Sequence, residues 1–529
     1  MSQQPYYATN DIPVVVQGTV VKQHQQQGYA QGLDQGNTTY NHGQPQQQGR
    51  FQDEDDNWTK GEHQPKRCND MLFGIIFYAH LGFIAWFTAT YAPILMTSLR
   101  EAQDQSANGQ RFLMRFLDQN IDNQQATDDA AQVIDDMNHV LFLLGTSGVV
   151  GFIISSLTLG FMMNCAECLI KSALFFNIIT SLLVAVIMLL AGVILVAIGA
   201  LFMFAFSLYY AYYVWARIPF AAANMTTAIT AIRANIGVTF FAYVSLILTF
   251  LWSIWWSIAF ASALYVTSGC NDAAGNCENE GNRIISFLFF LSYYWTVQVS
   301  KNVVHVTVAG TVGTWWFEPR TASSCCSRGV RDSWLRAMTF SFGSICFGSL
   351  LVAIIQAIKS LIHQMREQDD GIVACLAECL LGCIESLVEY FNTWAFTYVG
   401  LYGYSFMEAG KNVMTLFRSR GWTTIITDNL VDSALGMVSF GVGIMTGVVI
   451  LLVAVGTGID LGGGAIPFGI GFLVGAILSL TLFSVVSSAV NTVIVCYAEA
   501  PSEFQSNHPR LSDHMRDSWR QAWPSEFHY

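Results

Sequence analysis

The chain has 529 residues, of which 53% are hydrophobic and only 12% charged, against a usual charged share of about 25% in soluble proteins. That composition excludes an ordinary water-soluble domain and calls for a bilayer. A net charge of −12 and a pI near 5.2 exclude the basic footprint of a nucleic-acid-binding protein.

Residues 1–65 are rich in Gln, Gly, Asn and Tyr without any apolar period, so they are expected to form a disordered cytoplasmic tail. The acidic patch Asp53, Glu54, Asp55 and Asp56 within it reads as solvated. The first long apolar run begins at Met71, which predicts that translocation starts with a true spanning helix rather than a cleaved signal peptide. From there, residues 66–500 are expected to form an all-α, polytopic transmembrane domain of about ten helices. The apolar runs fall near 71–96, 140–163, 172–192, 194–215, 237–266, 284–311, 338–358, 387–407, 430–456 and 465–497. The third and fourth are separated by almost nothing, so Gly192 must turn tightly unless the pair is one kinked or re-entrant span.

Lys and Arg set the expected orientation. With the N-terminus inside, sixteen basic residues flank the cytoplasmic ends and six fall outside, which puts both termini in the cytoplasm, including a C-terminal tail over 501–529. Residues 97–139 then form an acidic extracellular loop with eight Asp/Glu against three Arg, and short helices are expected around Phe112–Leu117 and Ala130–Met137. Such a loop either concentrates cations at the mouth or is a solvated cap. The stretch RIPFAAANMTTAITAIRANI is weakly amphipathic and reads as an interfacial helix or a plain connector.

The stretch NRIISFLFFLSYYWTVQVSKNVVHVTVAGTVGTWWF is the centre of the reading. At 100° per residue, Tyr294, Gln298, Lys301 and His305 lie within about 60° of one another on one helix face, with Asn302 beside them. Lys301 would sit about 5 Å from the middle of its span at 1.5 Å per residue. A charge there costs at least about 2.5 kcal/mol, so it must face protein or a wet cavity. Glu408 and Glu389 are its candidate partners. Gln298, Asn302 and His305 read equally well as bonds between helices.

Aromatic rings stack around quaternary ammonium groups, which makes Trp252, Trp255 and Trp256 of the fifth run and Tyr293, Tyr294 and Trp295 of the sixth either candidate ligands or packing and interfacial rings; Trp315 and Trp316 read as interfacial anchors. Ser341, Ser344 and Gly348 share one side of the seventh span, with Ser349 and Gln356 next to them, and Gly443 with Gly447 and Gly471 with Gly475 repeat a small-xxx-small spacing. Cys270 and Cys277 lie in a short polar loop and could close a disulfide if that loop is outside. Cys375, Cys379 and Cys383 are spaced four apart without a histidine cluster, so no metal site is expected. Their side of the membrane is open, and Cys165 with Cys168 and the pair Cys325 and Cys326 read as acylation targets or as nothing. No Lys-Ser/Thr follows GTGIDLGGG, and no catalytic motif is legible, so neither an enzyme nor a cofactor is expected.

The run YYWTVQVSKNVVHVTVAGTVGTWWF, followed by RAMTFSFGSICFGSLLVAIIQ, resembles the best-marked region of the choline transporter-like membrane proteins. KRCNDMLFGIIF and CYAEAPSEFQSNHPRLSDHMRDSWRQAWP are similar to the fungal branch of that family, named for a pH-nine-sensitive protein. The resemblance spans Lys66 to Pro524 and implies a plasma-membrane secondary transporter of a small organic cation such as choline or ethanolamine, working by alternating access. A non-transporting scaffold or an ion- or pH-homeostasis component is the competing reading. The bilayer is the one obligatory partner; the oligomeric state is not legible.

Overall fold

The computed structural model describes Arg67 to Pro524, apart from 118–123, 268–279, 321–326, 367–371, 423–429 and 460–463. The tail over 1–65 and the pairs Cys270 with Cys277 and Cys325 with Cys326 lie outside the described residues. Every regular element among the described residues is helical, as hydrocarbon requires of a single-chain span whose backbone groups have no water to bond.

The first six helices are α1 (Met71–Leu117), α2 (Gln124–Asn164), α3 (Ala166–Leu190), α4 (Ile194–Val214), α5 (Ile218–Ala234) and α6 (Gly237–Thr267). Then come α7 (Glu280–Phe317), α8 (Arg328–Met338), α9 (Phe342–Arg366), α10 (Ile372–Tyr402) and α11 (Phe406–Ser419). Last are α12 (Leu430–Thr457), α13 (Ala465–Glu499), α14 (Pro501–Asn507) and α15 (Pro509–Ala522). Among the described residues, eight helical stretches are long and apolar enough to cross a bilayer. α7 and α10 exceed the roughly 20 residues a span needs but carry charged residues, and with them the bilayer-length helices among the described residues number ten.

Gly192 turns the chain at φ +74, a conformation that favours a residue without Cβ, and α3 and α4 pack side by side as two helices rather than one kinked span. α4 continues into α5 through a 3₁₀ turn at Trp215–Arg217. α5 is no interfacial helix. Its Phe220, Met225, Ile229 and Ile232 are buried, and α3, α13 and α15 pack on it, so its weak amphipathicity reflects cover on several sides. The stretch over 97–139 is also not a loop with separate short helices, because α1 runs through to Leu117 and α2 starts at Gln124.

α7 is the centre of the bundle, packed on α6, α8, α9, α10 and α13. Glycines set how close its neighbours come. A Cβ on Gly400 of α10 would lie 2.6 Å from Ala309 Cβ and 2.7 Å from Val306 O of α7, and one on Gly471 of α13 would lie 2.9 Å from Gly447 Cα of α12. The small-xxx-small spacings are thus sites of close helix approach.

The chain enters the bundle through a polar clamp. Asp70 adopts φ +53, which a short polar side chain tolerates. Its Oδ2 accepts from Ser344 Oγ at 2.7 Å and from the Phe406 N–H at 3.0 Å, while Asn69 Nδ2 donates to Gly403 O at 2.8 Å. The start of α1 is thereby bonded to α9 and to the α10–α11 corner.

The C-terminal segment is a packed part of this bundle rather than a tail. Phe504 stacks on Trp316 with ring centroids 3.9 Å apart, and Trp316 Nε1 donates to Ala500 O at 3.2 Å. Trp519 is fully buried beside Phe220, Trp422 and Tyr497 and donates to Asn224 Oδ1 at 3.0 Å. Trp315 and Trp316, expected as interfacial anchors, are instead buried as the docking surface for α14. Cys165 and Cys168, read from sequence as acylation targets or as nothing, are disulfide-bonded to each other.

Two outcomes follow from this packing. Gly400→Ala is expected to lower the detergent-solubilised protein's stability by about 1–3 kcal/mol through overpacking against α7, whereas Gly148→Ala, which would meet nothing within 4 Å, should leave its melting temperature unchanged. His508 stacks on Trp315 at 4.1 Å, and burial holds its imidazole below the ordinary value of 6.5. The packed state therefore favours the neutral ring, so its stabilising contribution is complete above pH 6.5 and is lost as pH falls through the lowered value. Proteolytic protection of α15 should weaken on acidification below about pH 6.5, and protection constant from pH 7.5 to 5 would contradict it.

Candidate functional site

Most of the polar face of α7 survives in the apolar bundle because its groups, Lys301 excepted, are answered by neighbouring helices. Tyr294 OH lies 2.7 Å from Ser360 Oγ, Gln298 Nε2 donates to Gln356 Oε1 at 3.2 Å, and Asn302 Nδ2 donates to Ser349 Oγ at 2.9 Å. All three partners are on α9, and the pairing runs antiparallel.

His305 turns the network toward α10 and α13. Its Nε2 lies 3.2 Å from Thr393 O and 3.1 Å from Thr397 Oγ1. A carbonyl can only accept, so Nε2 carries the proton, and Nδ1 accepts from Ser488 Oγ at 2.8 Å. The imidazole is thus a neutral junction between three helices.

Around these groups lies a polar cavity of about 120 Å³, lined by Gln298, Lys301, Asn302 and His305 of α7, Glu389, Asn392 and Thr393 of α10, and Ser484 and Ser488 of α13, with Val304 and Val352. Its polar inventory is incomplete. Asn392 donates through Nδ2 to Gly348 O at 2.9 Å, yet its Oδ1 is buried without a hydrogen-bond partner among the described residues. Lys301 is exposed at the cavity's edge, and no carboxylate of the described residues lies within 4.0 Å of it. The expected pairing with Glu408 is absent: that residue sits on α11, where Ser405 Oγ reaches it at 3.5 Å. Glu389 shares the cavity with Lys301 without touching it.

A larger cavity of about 560 Å³ lies farther toward the start of α7, between Phe290 and Tyr294 and the facing parts of α9 and α10. Lys359 Nζ donates to Glu385 Oε2 at 2.7 Å, Gln356 Nε2 donates to Glu385 Oε1 at 2.8 Å, and His363 Nδ1 lies 3.3 Å from Glu378 Oε1. In the other direction the bundle is closed by rings. A Cβ on Gly348 would meet Phe396 Cζ at 2.6 Å, and Phe406 packs against the same glycine. Beyond them Tyr398 and Tyr402 donate to the Glu499 carboxylate.

The remaining sequence candidates are elsewhere. Trp295 donates to Cys346 O at 2.9 Å, stacks on His80 and lines a separate apolar cavity of about 390 Å³ among α1, α6 and α7. Trp252 packs in a small cluster with Ile84, Ala259 and Phe289. Trp255 is 48% exposed on the outer surface of α6, with its Nε1 on Thr88 Oγ1 at 3.1 Å, and so is remote from the polar line. Ser344 holds Asp70, and Ser341 starts α9, its N–H bonded to Arg336 O at 3.0 Å; neither lines a polar cavity. Sequence reasoning passed over Glu385 with Thr393, Ser484 and Ser488. The signal for the α10 face was present, since Glu385, Glu389, Asn392 and Thr393 recur at i, i+4, i+7 and i+8.

Ten bilayer-length helices among the described residues, packed around an internal polar line, define a multi-pass α-helical membrane protein. A family profile described as "Plasma-membrane choline transporter" matches residues 198–502, and the chain belongs to this choline transporter-like family. A CTL-like protein of Dictyostelium discoideum is 32% identical over 299 residues, covering 56% of this chain and 51% of that protein. Protein PNS1 of Debaryomyces hansenii is 28% identical over 400 residues, covering 72% of this chain and 77% of its own. Protein PNS1 of Yarrowia lipolytica is 34% identical over 241 residues, or 42% and 41% of the two chains. The chain thus spans about half of the first of these relatives and about three quarters of the second.

His305→Ala should cost about 1–3 kcal/mol by leaving Ser488 and Thr397 without their shared partner, seen as a lower melting temperature. Trp255→Ala, at an exposed position, should shift stability by no more than about 0.5 kcal/mol.

Proposed function

We propose that the protein is a secondary transporter of a small organic cation of the choline or ethanolamine type, with α7, α9, α10 and α13 forming the route and the polar cavity beside His305 as its central site. The observation that carries this reading is the unanswered acceptor chemistry of that cavity: Asn392 Oδ1 is buried without a donor and the Glu389 carboxylate has no ion-pair partner among the described residues. Acceptors without donors, one of them fully buried, favour a cationic donor. Lys301 at the edge supplies the counterweight: it lines the same cavity as Glu389 without an ion pair to it, so its ammonium is available to neutralise that carboxylate in one state of the cycle and to leave it in another.

Alternating access is supported by the asymmetry of the bundle. One side of the cavity is hollowed toward the Glu385 chamber, while the other is closed by Phe396, Phe406 and the Tyr–Glu499 bonds. No Phe, Tyr or Trp ring among the described residues lines the polar cavity, so it suits a primary ammonium, which donates hydrogen bonds, better than a trimethylammonium group, which relies on aromatic faces. The excess of basic residues on one set of loops supports cytoplasmic termini, and the family's description supports a plasma-membrane address.

Uptake of labelled ethanolamine and choline into vesicles holding the purified protein tests the reading. Uptake above empty vesicles is expected, faster for ethanolamine. Lys301→Met and Glu389→Gln should each cut it by about tenfold or more while the protein still folds and elutes as a single species. No uptake of either compound at any pH or ion gradient would overturn the assignment.

A further inference from the structure

The two polar cavities meet at one side-chain contact. Gln298 lines the inner cavity, Gln356 lines the larger chamber, and the 3.2 Å bond from Gln298 Nε2 to Gln356 Oε1 stands between them. Gln356 is not free to move away from it. Its own Nε2 is held at 2.8 Å by Glu385 Oε1, and the other carboxylate oxygen, Oε2, is held at 2.7 Å by the ammonium of Lys359. Four side chains from three helices therefore form an unbroken chain, Lys359 to Glu385 to Gln356 to Gln298, that crosses the passage.

The last link is the weakest and the first the most exchangeable. A neutral amide–amide bond contributes about 0.5–1.5 kcal/mol net. The Lys359–Glu385 pair is partly exposed, with 40% and 14% of the two side chains accessible, so a dissolved cation can compete for the carboxylate. Lys359 itself shows what Glu385 accepts: an alkylammonium group, in a chamber whose rings are Phe290 and Tyr294.

Resting on the cation reading above, we propose that the larger chamber is the receiving site for the cation, with Glu385 as its carboxylate and Lys359 as a tethered competitor, and that the Gln356–Gln298 bond is the gate below it. A cation that displaces the Lys359 ammonium draws Glu385 toward the chamber. Gln356 loses its anchor, the bond to Gln298 opens, and the route to Asn392 and Glu389 is exposed. No covalent step is involved; one ammonium replaces another on a carboxylate. Gln298 and Gln356 act as gate residues, and Lys359 sets the concentration at which the gate responds.

The test needs no transport. Ser484→Cys places a thiol in the inner cavity, and its alkylation by iodoacetamide is followed peptide by peptide in the purified full-length protein. Ethylammonium chloride should accelerate labelling relative to sodium chloride at equal ionic strength. Lys359→Met should lower the half-effective ethylammonium concentration about tenfold, equivalent to about 1.4 kcal/mol. Glu385→Gln should abolish the ammonium dependence. Gln356→Ala should raise the labelling rate about tenfold without any ammonium, and Gln298→Ala should do the same, which guards against misfolding of one variant. Equal rates for both glutamine variants and the parent, or an ethylammonium response that persists in Glu385→Gln, would overturn the gate. Because labelling is read without a gradient, a protein that takes up neither ethanolamine nor choline can still show the gate, and one that transports can still lack it.

Discussion

A polar group surrounded by hydrocarbon has no water to bond, so it must find its partner within the protein or be given one by a ligand. That constraint organises the bundle. The hydrophilic face of α7 dictates which helices lie against it, because α9 supplies Ser349, Gln356 and Ser360, α10 supplies Thr393 and Thr397, and α13 supplies Ser488. Where the pairing is complete, as at His305, the contact is structural. Where it stops short, at Asn392 Oδ1, Glu389 and Lys301, the bundle is hollow.

Close packing and polar pairing act at different levels of the same helices. Toward the Asp70 clamp, glycines let α7, α9 and α10 approach so closely that aromatic rings fill the remaining space, as Phe396 and Phe406 do over Gly348. In the other half the contacts are long polar side chains, Gln298, Gln356, Lys359 and Glu385, which reach across a gap rather than closing it. Rings over glycine make a tight seal; hydrogen-bonded amides and carboxylates can exchange partners at small cost. The difference in chemistry between the two halves is what gives the bundle a closed end and an open one.

The C-terminal segment secures the closed end. Phe504 seats α14 on Trp316 at the end of α7, and Trp519 seats α15 on Phe220 at the start of α5 and on Tyr497 at the end of α13. Asp70 and Asn69 do the same for α1, by bonding to α9 and the α10–α11 corner. The segments flanking the spans thus hold the closed half together, while the contacts of the open half lie inside the bundle.

By itself the sequence determined the class, the approximate number of spans and the polar face of α7, because hydropathy and helical period are local properties carried by consecutive residues; the turn at Gly192 stayed open against a single kinked span until the packing of α3 on α4 settled it. It also placed Tyr294, Gln298, Lys301 and His305 on one face; Gln298, Lys301 and His305 line one cavity together with Asn302, and Tyr294 lines the other. Only the tertiary structure decided which groups answer them. Whether Lys301 meets Glu389 or Glu408, whether Trp255 faces the route or the surface, and whether Trp316 meets the interface or Phe504 depend on the rotation of each helix about its axis. That rotation is set by contacts between residues far apart in the chain, such as Gly400 against Val306 and Asn392 against Gly348, and periodicity within a single helix carries no record of them.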